Sequence, residues 1–247
     1  MALIVEPIRR RKISEEICEQ LQAMMLRGEL KPEQQLPSER ELMSMFGVGR
    51  TSVREALFAL QRMGLVAIRN GERASVTRPT AKSVVEELSG AVKHILADEK
   101  GVKDLQQARA MFEAMLVRYA AAHATKSDLH RLKSALDANE AAIGSTDEFT
   151  RTDIGFHLVL AEIPQNSIFT SLHMALASWL AEQRTVSLRA DDAERAAYQA
   201  HKKVYEAVTS GRPDAAERAM LEHLGQVETF YWREVKDAAD GEVVDSK

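Results

Sequence analysis

Residues 36–66 read LPSERELMSMFGVGRTSVREALFALQRMGLV, and their spacing decides the fold of the amino-terminal part of the chain. Ser38 and Glu41 stand at capping-box spacing, and Leu42, Met45 and Phe46 supply a packing face, so a short helix begins after Ser38. Gly47 ends it. Only the tripeptide GVG separates it from a second helix running from Arg50 to about Met63. Val53, Ala56, Leu57 and Leu60 share one face of that helix, while Arg50 and Arg54, four residues apart, share the other. Two short helices joined by so tight a turn form a helix-turn-helix. Taken alone, the arginine pair fits either a solvated surface helix or a forked cation pair presented to phosphates and guanines.

The flanking sequence favours the second use. Upstream, Ile13, Ile17, Leu21, Met24 and Met25 follow helical spacing, with Ser14 as a cap and Glu15 and Glu16 favourable in the first turn; RGELKP stops this helix. Downstream, LVAIRNGERASV alternates at Val66 and Ile68, passes through Asn70-Gly71, and alternates again at Ala74 and Val76. Asn-Gly between two alternating runs is a hairpin signal, because both central residues accept positive φ. Three helices and a hairpin make a winged helix, with Arg69 and Arg73 flanking the wing tip within reach of phosphate.

Net charge over the 247 residues is -4. Residues 1–78 hold 13 Lys+Arg against 10 Asp+Glu, and the remainder 20 against 27, giving +3 and -7. A basic amino-terminal module joined to an acidic body suits a protein of which one part meets a polyanion. The single cysteine, Cys18, excludes a disulfide framework and a cysteine-based zinc cluster, which points to a reducing cytosol. The apolar run of MALIVEPIRRRK is too short for a signal sequence, and no segment has the length of a membrane span, so a cytoplasmic protein without membrane contact is expected.

Beyond residue 78 the periodicity is helical throughout, over 83–97, 103–124, 127–143, 147–163, 166–188, 192–210 and 213–237. Breaks are expected at Gly101, 144–146, Pro164, 189–192 and 210–213. The fold class is therefore mainly α: a winged helix-turn-helix domain over 1–78, a linker at 79–82, an all-helical bundle over 83–238 and a disordered tail at 239–247.

Within the bundle, Asp153 and His157 lie one helical turn apart in TDIGFHLVLAEI, a metal-chelating spacing. His201 and His223 each sit inside an otherwise amphipathic helix. Three imidazoles and one carboxylate from three helices can converge on a divalent ion, with zinc, nickel and manganese all admissible. Arg109, beside Ala108, Met111, Phe112 and Met115, which mark the buried stripe, needs an anionic partner: Glu113 one turn on, or the carboxylate of a bound metabolite. The chain lacks Gly-x-Ser-x-Gly, Gly-x-Gly-x-x-Gly and a phosphate-binding loop, so an enzyme would rest on the metal site alone. A metal-dependent hydrolase and a sensor of the metal itself are the rival readings.

Residues 10–78 resemble the winged helix of the GntR family of bacterial transcription regulators. RAMFE with Arg109 and Glu113, DIGFH with Asp153 and His157, and then His201 and His223 resemble the FCD effector domain of its FadR (fatty-acid-regulator) subfamily. The resemblance implies a homodimer on a palindromic double-stranded DNA operator. Arg40, Arg50 and Arg54 would take DNA-contacting positions, Thr51 and Ser52 would suit phosphates, and Gly71 would enter the minor groove. It further implies repression relieved by a small carboxylate that coordinates the metal and is clamped by Arg109. NGERASV, LVRYAAAHAT and FHLVLAEIPQNSIF are most similar to the branch that represses sialic acid (N-acetylneuraminate) catabolism; another sugar acid, hydroxy acid or aromatic-pathway metabolite is the alternative effector.

Overall fold

The computed structural model describes residues 11–69 and 71–245, with side chains described as far as residue 240. The apolar opening of the chain, Asn70 of the Asn-Gly pair, and residues 246–247 lie outside the described residues. The chain divides into two compact units between Glu87 and Leu88.

The first unit runs α1 (Ile13–Leu26), α2 (Glu39–Phe46), α3 (Arg50–Arg62), β1 (Val66–Ala67), β2 (Ser75–Val76) and α4 (Ala81–Glu86). Ser38 caps α2 as its spacing requires, accepting from the Glu41 amide at 3.3 Å while the Glu41 carboxylate takes the Ser38 amide at 2.7 Å. Gly47 closes α2 in the left-handed region at φ 64°. The buried faces of α1, α2 and α3 meet through Ile17, Leu21, Leu42, Val53, Ala56 and Leu60. Burying each large apolar side chain of this kind contributes about 1.5–3 kcal/mol.

Two details depart from expectation. Ser14 does not cap α1; Lys12 occupies that position, because Ser14 shares the buried face with Ile17, Cys18 and Leu21 at spacings of three, four and seven. The hairpin pairs Val66 with Val76 and Ala67 with Ser75, and it gains a third element. The segment before α2 lies along β2, with Leu36 donating to the Ala74 carbonyl at 2.7 Å and Val76 to the Gln34 carbonyl at 2.8 Å.

The second unit is all helical: α5 (Ser89–Ile95), α6 (Glu99–His123), α7 (Lys126–Ala141), α8 (Thr146–Glu162), α9 (Ser167–Trp179), α10 (Ala181–Ser187), α11 (Ala193–Thr209) and α12 (Pro213–Asp245). Helices α6 and α11 pack along α12, and α7 along α8. Val117, Leu132, Phe149, Phe156, Leu160, Val204 and Met220 fill the core between them. No helix among the described residues is long and apolar enough to cross a membrane.

The helix read over 83–97 is two short ones, α4 and α5, which belong to different units; Thr80 caps α4 from within the stretch read as linker. Gly101 does not break a helix. It lies in the first turn of α6, its amide held by Asp98 at 2.7 Å, and a Cβ there would stand 1.8 Å from the Ile95 carbonyl oxygen, so only glycine fits the approach. The run over 166–188 bends at Leu180, where the Ala177 carbonyl accepts from the Arg184 guanidinium at 3.1 Å. Helix α12 continues to Asp245, through most of the stretch read as a disordered tail.

The largest correction concerns α6. Met111 and Met115 are 68% and 47% exposed, and the buried face instead carries Val102, Arg109, Glu113, Leu116, Val117 and Ala120. A stripe chosen for its apolar side chains pointed away from the core, and the charged pair pointed into it.

Candidate metal centre and nucleic-acid interface

Helix α8 places Asp153 and His157 one turn apart on its buried face, as the spacing demands. His201 on α11 and His223 on α12 meet them, and the ligating atoms of all four residues lie within 4.8 Å of one another. The Nε2 atoms of His157 and His201 are 3.2 Å apart, those of His201 and His223 are 3.0 Å apart, and Asp153 Oδ1 stands 3.4 Å from His201 Nε2. All four side chains are buried, and Phe156 stacks on the His201 ring at 4.5 Å.

Neighbouring groups decide which ring nitrogens carry protons. His201 Nδ1 donates to Asn139 Oδ1 at 2.9 Å, and Asn139 is oriented by donating its own amide to Thr152 Oγ1 at 3.1 Å. His157 Nδ1 lies against the Glu113 carboxylate. The Nε2 atom of His201 is therefore a lone pair that faces the Nε2 atoms of His157 and His223 in a buried cluster. A cation bound by imidazole nitrogens would use such lone pairs. The donor set suits a divalent transition metal, and the Glu113–His157 and Asn139–His201 bonds are the outer partners such ligands use.

Electrostatics around the cluster are tightly paired. Arg109 donates from Nε to Glu113 at 2.7 Å, so the expected partner is present; its Nη atoms have no hydrogen-bond partner among the described residues. Arg184 donates to Asp153 Oδ2 at 3.1 Å. Burial by itself raises the pKa of Asp153, but Arg184 and the surrounding imidazoles outweigh it and hold the carboxyl well below its usual range. Glu113 is likewise held low by His157 and Arg109 against the effect of burial. Burial pushes the histidines the other way: His201 falls to about 3, His223 well below its ordinary value, and His173 on α9 to about 4. Arg109, Asp153, Arg184, Ser187 and His223 line a small cavity.

Sequence spacing did not single out Arg184, Asn139 or His173. The signal for two of them is present nonetheless. Arg184 falls four residues from both Leu180 and Leu188, and Asn139 continues the stripe of Leu132 and Leu136, so each is a polar group on an apolar face.

The other candidate residues lie in the first unit. Arg50, Thr51 and Arg54 are exposed on α3, Arg40 is exposed on α2, and Ser52 is half-buried. Glu39 at the start of α2 reaches both helix arginines, with Arg50 Nε at 2.8 Å and Arg54 Nε at 3.7 Å. Arg69 is 3.9 Å from Glu72, and Arg73 is 3.9 Å from Glu41. Exposed pairs of this kind are weak and exchange readily for phosphate. Gly71 takes φ 80° at the hairpin tip. Arg54, Phe58, Ile68, Gly71 and Arg73 line a cleft between α3 and the hairpin, and the Arg54 guanidinium lies 5.8 Å from the centre of the Phe58 ring.

Comparison with known proteins places both halves. A family model described as bacterial regulatory proteins, gntR family, matches residues 13–76, and an FCD domain model matches residues 104–226. The HTH-type transcriptional repressor NanR of Cronobacter sakazakii is 47% identical over 223 residues, covering 90% of this chain and 86% of that protein. Its Escherichia coli counterpart is 47% identical over 223 residues, covering 90% and 85%. Among solved structures, a Streptococcus agalactiae GntR superposes with TM-score 0.58 at 23% identity, over 87% of this chain and 98% of that one. E. coli McbR/YncC does so with TM-score 0.52 at 16% identity, over 92% and 100%. These two likenesses show the fold alone.

The histidine shifts predict how the metal-free protein responds to acid. His173 and His201 stay neutral in the native state down to about pH 4 and about pH 3, while in the unfolded chain they take up protons near 6.5. Their contribution is fully present above pH 6.5 and is lost as pH falls towards those native values, by about 1.4 kcal/mol per pH unit for each histidine. Denaturant titrations of chelated protein at pH 7.5, 6.0 and 5.0 are expected to show a stepwise fall in unfolding free energy; a flat profile would contradict the neutral, buried assignment.

Proposed function

Since this chain belongs to the gntR family of bacterial regulatory proteins and carries an FCD domain, it is a DNA-binding transcriptional regulator and not an enzyme, and we propose that it is a homodimeric, cytoplasmic repressor of a catabolic operon, released from its operator by a small carboxylate. The observation that carries this reading is the convergence of Asp153, His157, His201 and His223 beside Arg109, whose Nη atoms have no hydrogen-bond partner among the described residues and could take a carboxylate in bidentate fashion.

Those four residues would hold the metal, zinc being the first choice for three imidazoles and a carboxylate, with nickel and manganese also admissible. When bound, the ion would attract an anionic oxygen as a Lewis acid. Arg109 orients the effector's carboxylate, and Glu113 fixes Arg109 and His157 at once. N-acetylneuraminate is the first effector candidate, on the resemblance of 70–76, 116–125 and 156–169 to the branch that represses its catabolism; other sugar acids and hydroxy acids share the chemistry. Effector binding would favour a dimer geometry in which the two α3 helices no longer match the half-site spacing, by about 1–3 kcal/mol of coupling.

In the DNA-bound state Arg50 and Arg54 would leave Glu39 for guanine edges and phosphates. Arg40, Thr51 and Ser52 would hold phosphates, and Arg69, Gly71 and Arg73 would place the wing in the minor groove. The second copy would dock on the exposed apolar face of α6 and α9, where Met111, Met115, Tyr119, Ile168 and Met174 are all between 41% and 68% exposed.

Three measurements check this reading. In a gel-shift assay with metal-loaded protein and its palindromic operator, saturating N-acetylneuraminate or a related sugar acid abolishes the shifted band; operator binding that survives every acid tried removes the effector model. Arg54→Ala costs about 1–3 kcal/mol of operator affinity and relaxes base preference at one position of each half-site, whereas unchanged affinity by titration sinks the assignment. Met115→Glu converts the dimer to a monomer by light scattering, and persistence of the dimer would place the interface elsewhere.

A further inference from the structure

A groove runs between α1 and α3 in the first unit. Its floor is Cys18 of α1 with Ala59 and Met63 of α3, and its rim is Glu15, Glu19 and Glu55; no basic side chain among the described residues lines it. Gln22 joins the two walls, donating from Nε2 to Cys18 Sγ at 3.2 Å and to Met63 Sδ at 3.3 Å. Met63 is nevertheless 50% exposed, and all three carboxylates are exposed. At about 100° per residue, Ala59 and Met63 stand roughly 140° and 180° around α3 from Arg54, so the groove faces away from the arginine pair.

An apolar floor inside an acidic rim selects an occupant that is both apolar and cationic. A wholly apolar one would leave the carboxylates facing it unpaired, and nucleic acid would be repelled by them. Among the described residues neither Glu15 nor Glu55 has a basic side chain within salt-bridge distance. The chain supplies such an occupant where it enters α1. Residues 1–10 read MALIVEPIRR, with Leu3, Ile4 and Val5 for the floor and Arg9 and Arg10 for the rim. Lys12 has extended backbone at φ -70°, ψ 136°, which turns the chain off the helix axis. Arg11 then points back along α1, its Nη1 donating to Glu19 Oε2 at 3.1 Å, two turns into the helix. An exposed pair of this kind contributes little energy, but it gives the direction in which the preceding residues run. The reach suffices: Gln22 lies roughly 15 Å from the start of α1, and ten extended residues span up to roughly 33 Å, so the reversal can be made within the segment.

We propose that residues 1–10 of the same chain occupy this groove, with Leu3, Ile4 and Val5 over Cys18, Ala59 and Met63, and with Arg9 and Arg10 among Glu15, Glu19 and Glu55. The segment then closes the contact of α1 with α3 from behind the helix-turn-helix. It also places four of the 13 basic residues of 1–78, Arg9, Arg10, Arg11 and Lys12, beside carboxylates of their own unit. The positive charge this unit offers to a polyanion is carried instead by the arginines of α3 and the hairpin.

Cys18 is the single cysteine of the chain and lies in the groove floor, which gives a direct test. Full-length protein carrying Ile4→Cys, treated with oxidised glutathione at low protein concentration, is expected to lose both thiols to one intramolecular disulfide, seen as a faster-running band of monomer size on a denaturing gel. An unseated tether would couple faster the nearer the new cysteine stands to α1, whereas the seated segment couples Ile4→Cys about threefold or more faster than Ile8→Cys. Adding Arg9→Glu and Arg10→Glu to Ile4→Cys is expected to slow coupling about tenfold, and raised salt to slow the parent in the same direction. Equal or faster coupling from Ile8→Cys, or a rate indifferent to the charge reversal, overturns the proposal. So does a disulfide between chains, which would give the groove to a second copy. Should Cys18 prove too buried to react, amide hydrogen exchange decides: removing residues 2–10 is expected to speed exchange across 15–22 and 55–63 about threefold or more, and unchanged exchange overturns the proposal.

Discussion

The buried meeting of three imidazoles, with His201 Nε2 3.2 Å from that of His157 and 3.0 Å from that of His223, is the constraint on which the carboxyl-terminal helices turn. Asn139 fixes the His201 ring by accepting its Nδ1 proton, and the Glu113 carboxylate lies against Nδ1 of His157. Neither partner can be released cheaply, since Asn139 is tied to Thr152 and Glu113 to Arg109. Buried polar side chains from α6, α7 and α8 thus orient two of the cluster's imidazoles. Burying so many polar groups costs stability, which a bound cation would offset.

The same packing explains how a small occupant of the site can be felt at a distance. Arg109, Glu113, Asp153 and Arg184 are all buried, and each charge has its counterpart on a neighbouring residue. Breaking one pair strands the other member in a low-dielectric interior, so an anion arriving at Arg109 or Arg184 redistributes contacts among α6, α8, α10 and α12 instead of filling an inert hole. The bend at Leu180, with Arg184 holding both Asp153 and the Ala177 carbonyl, ties α9 and α10 to the cluster directly. An effector would act on such a regulator only through its unequal affinity for two such packings.

Much of this was legible in the sequence. The Ser38–Glu41 box, Gly47 and the α3 stripe specify the helix-turn-helix locally, through short-range hydrogen bonds and a single apolar face. The pairing of Asp153 with His157 was readable because helical periodicity fixes it. What escaped were features set by tertiary context. The strand-like segment at 34–36 has no alternation of its own and pairs only because β2 lies beside it. Gly101 looked like a terminator and is instead a contact point for Ile95. On α6 apolarity alone points to the methionines as the core, yet Met111 and Met115 face out and Arg109 and Glu113 face in, because the interior of this unit is in part a charged site. Arg184 and Asn139 announce themselves only as polar residues out of place on apolar stripes.

The central claim is that the cluster is built for one divalent cation, and metal stoichiometry tests it most directly. Chelated full-length protein titrated with Zn²⁺ at neutral pH should bind one ion per chain, with a rise in Tm, and His201→Ala should bind none at the same concentrations. A chain that takes up no ion and gains no stability, or a His201→Ala variant that binds zinc as the parent does, would contradict the account.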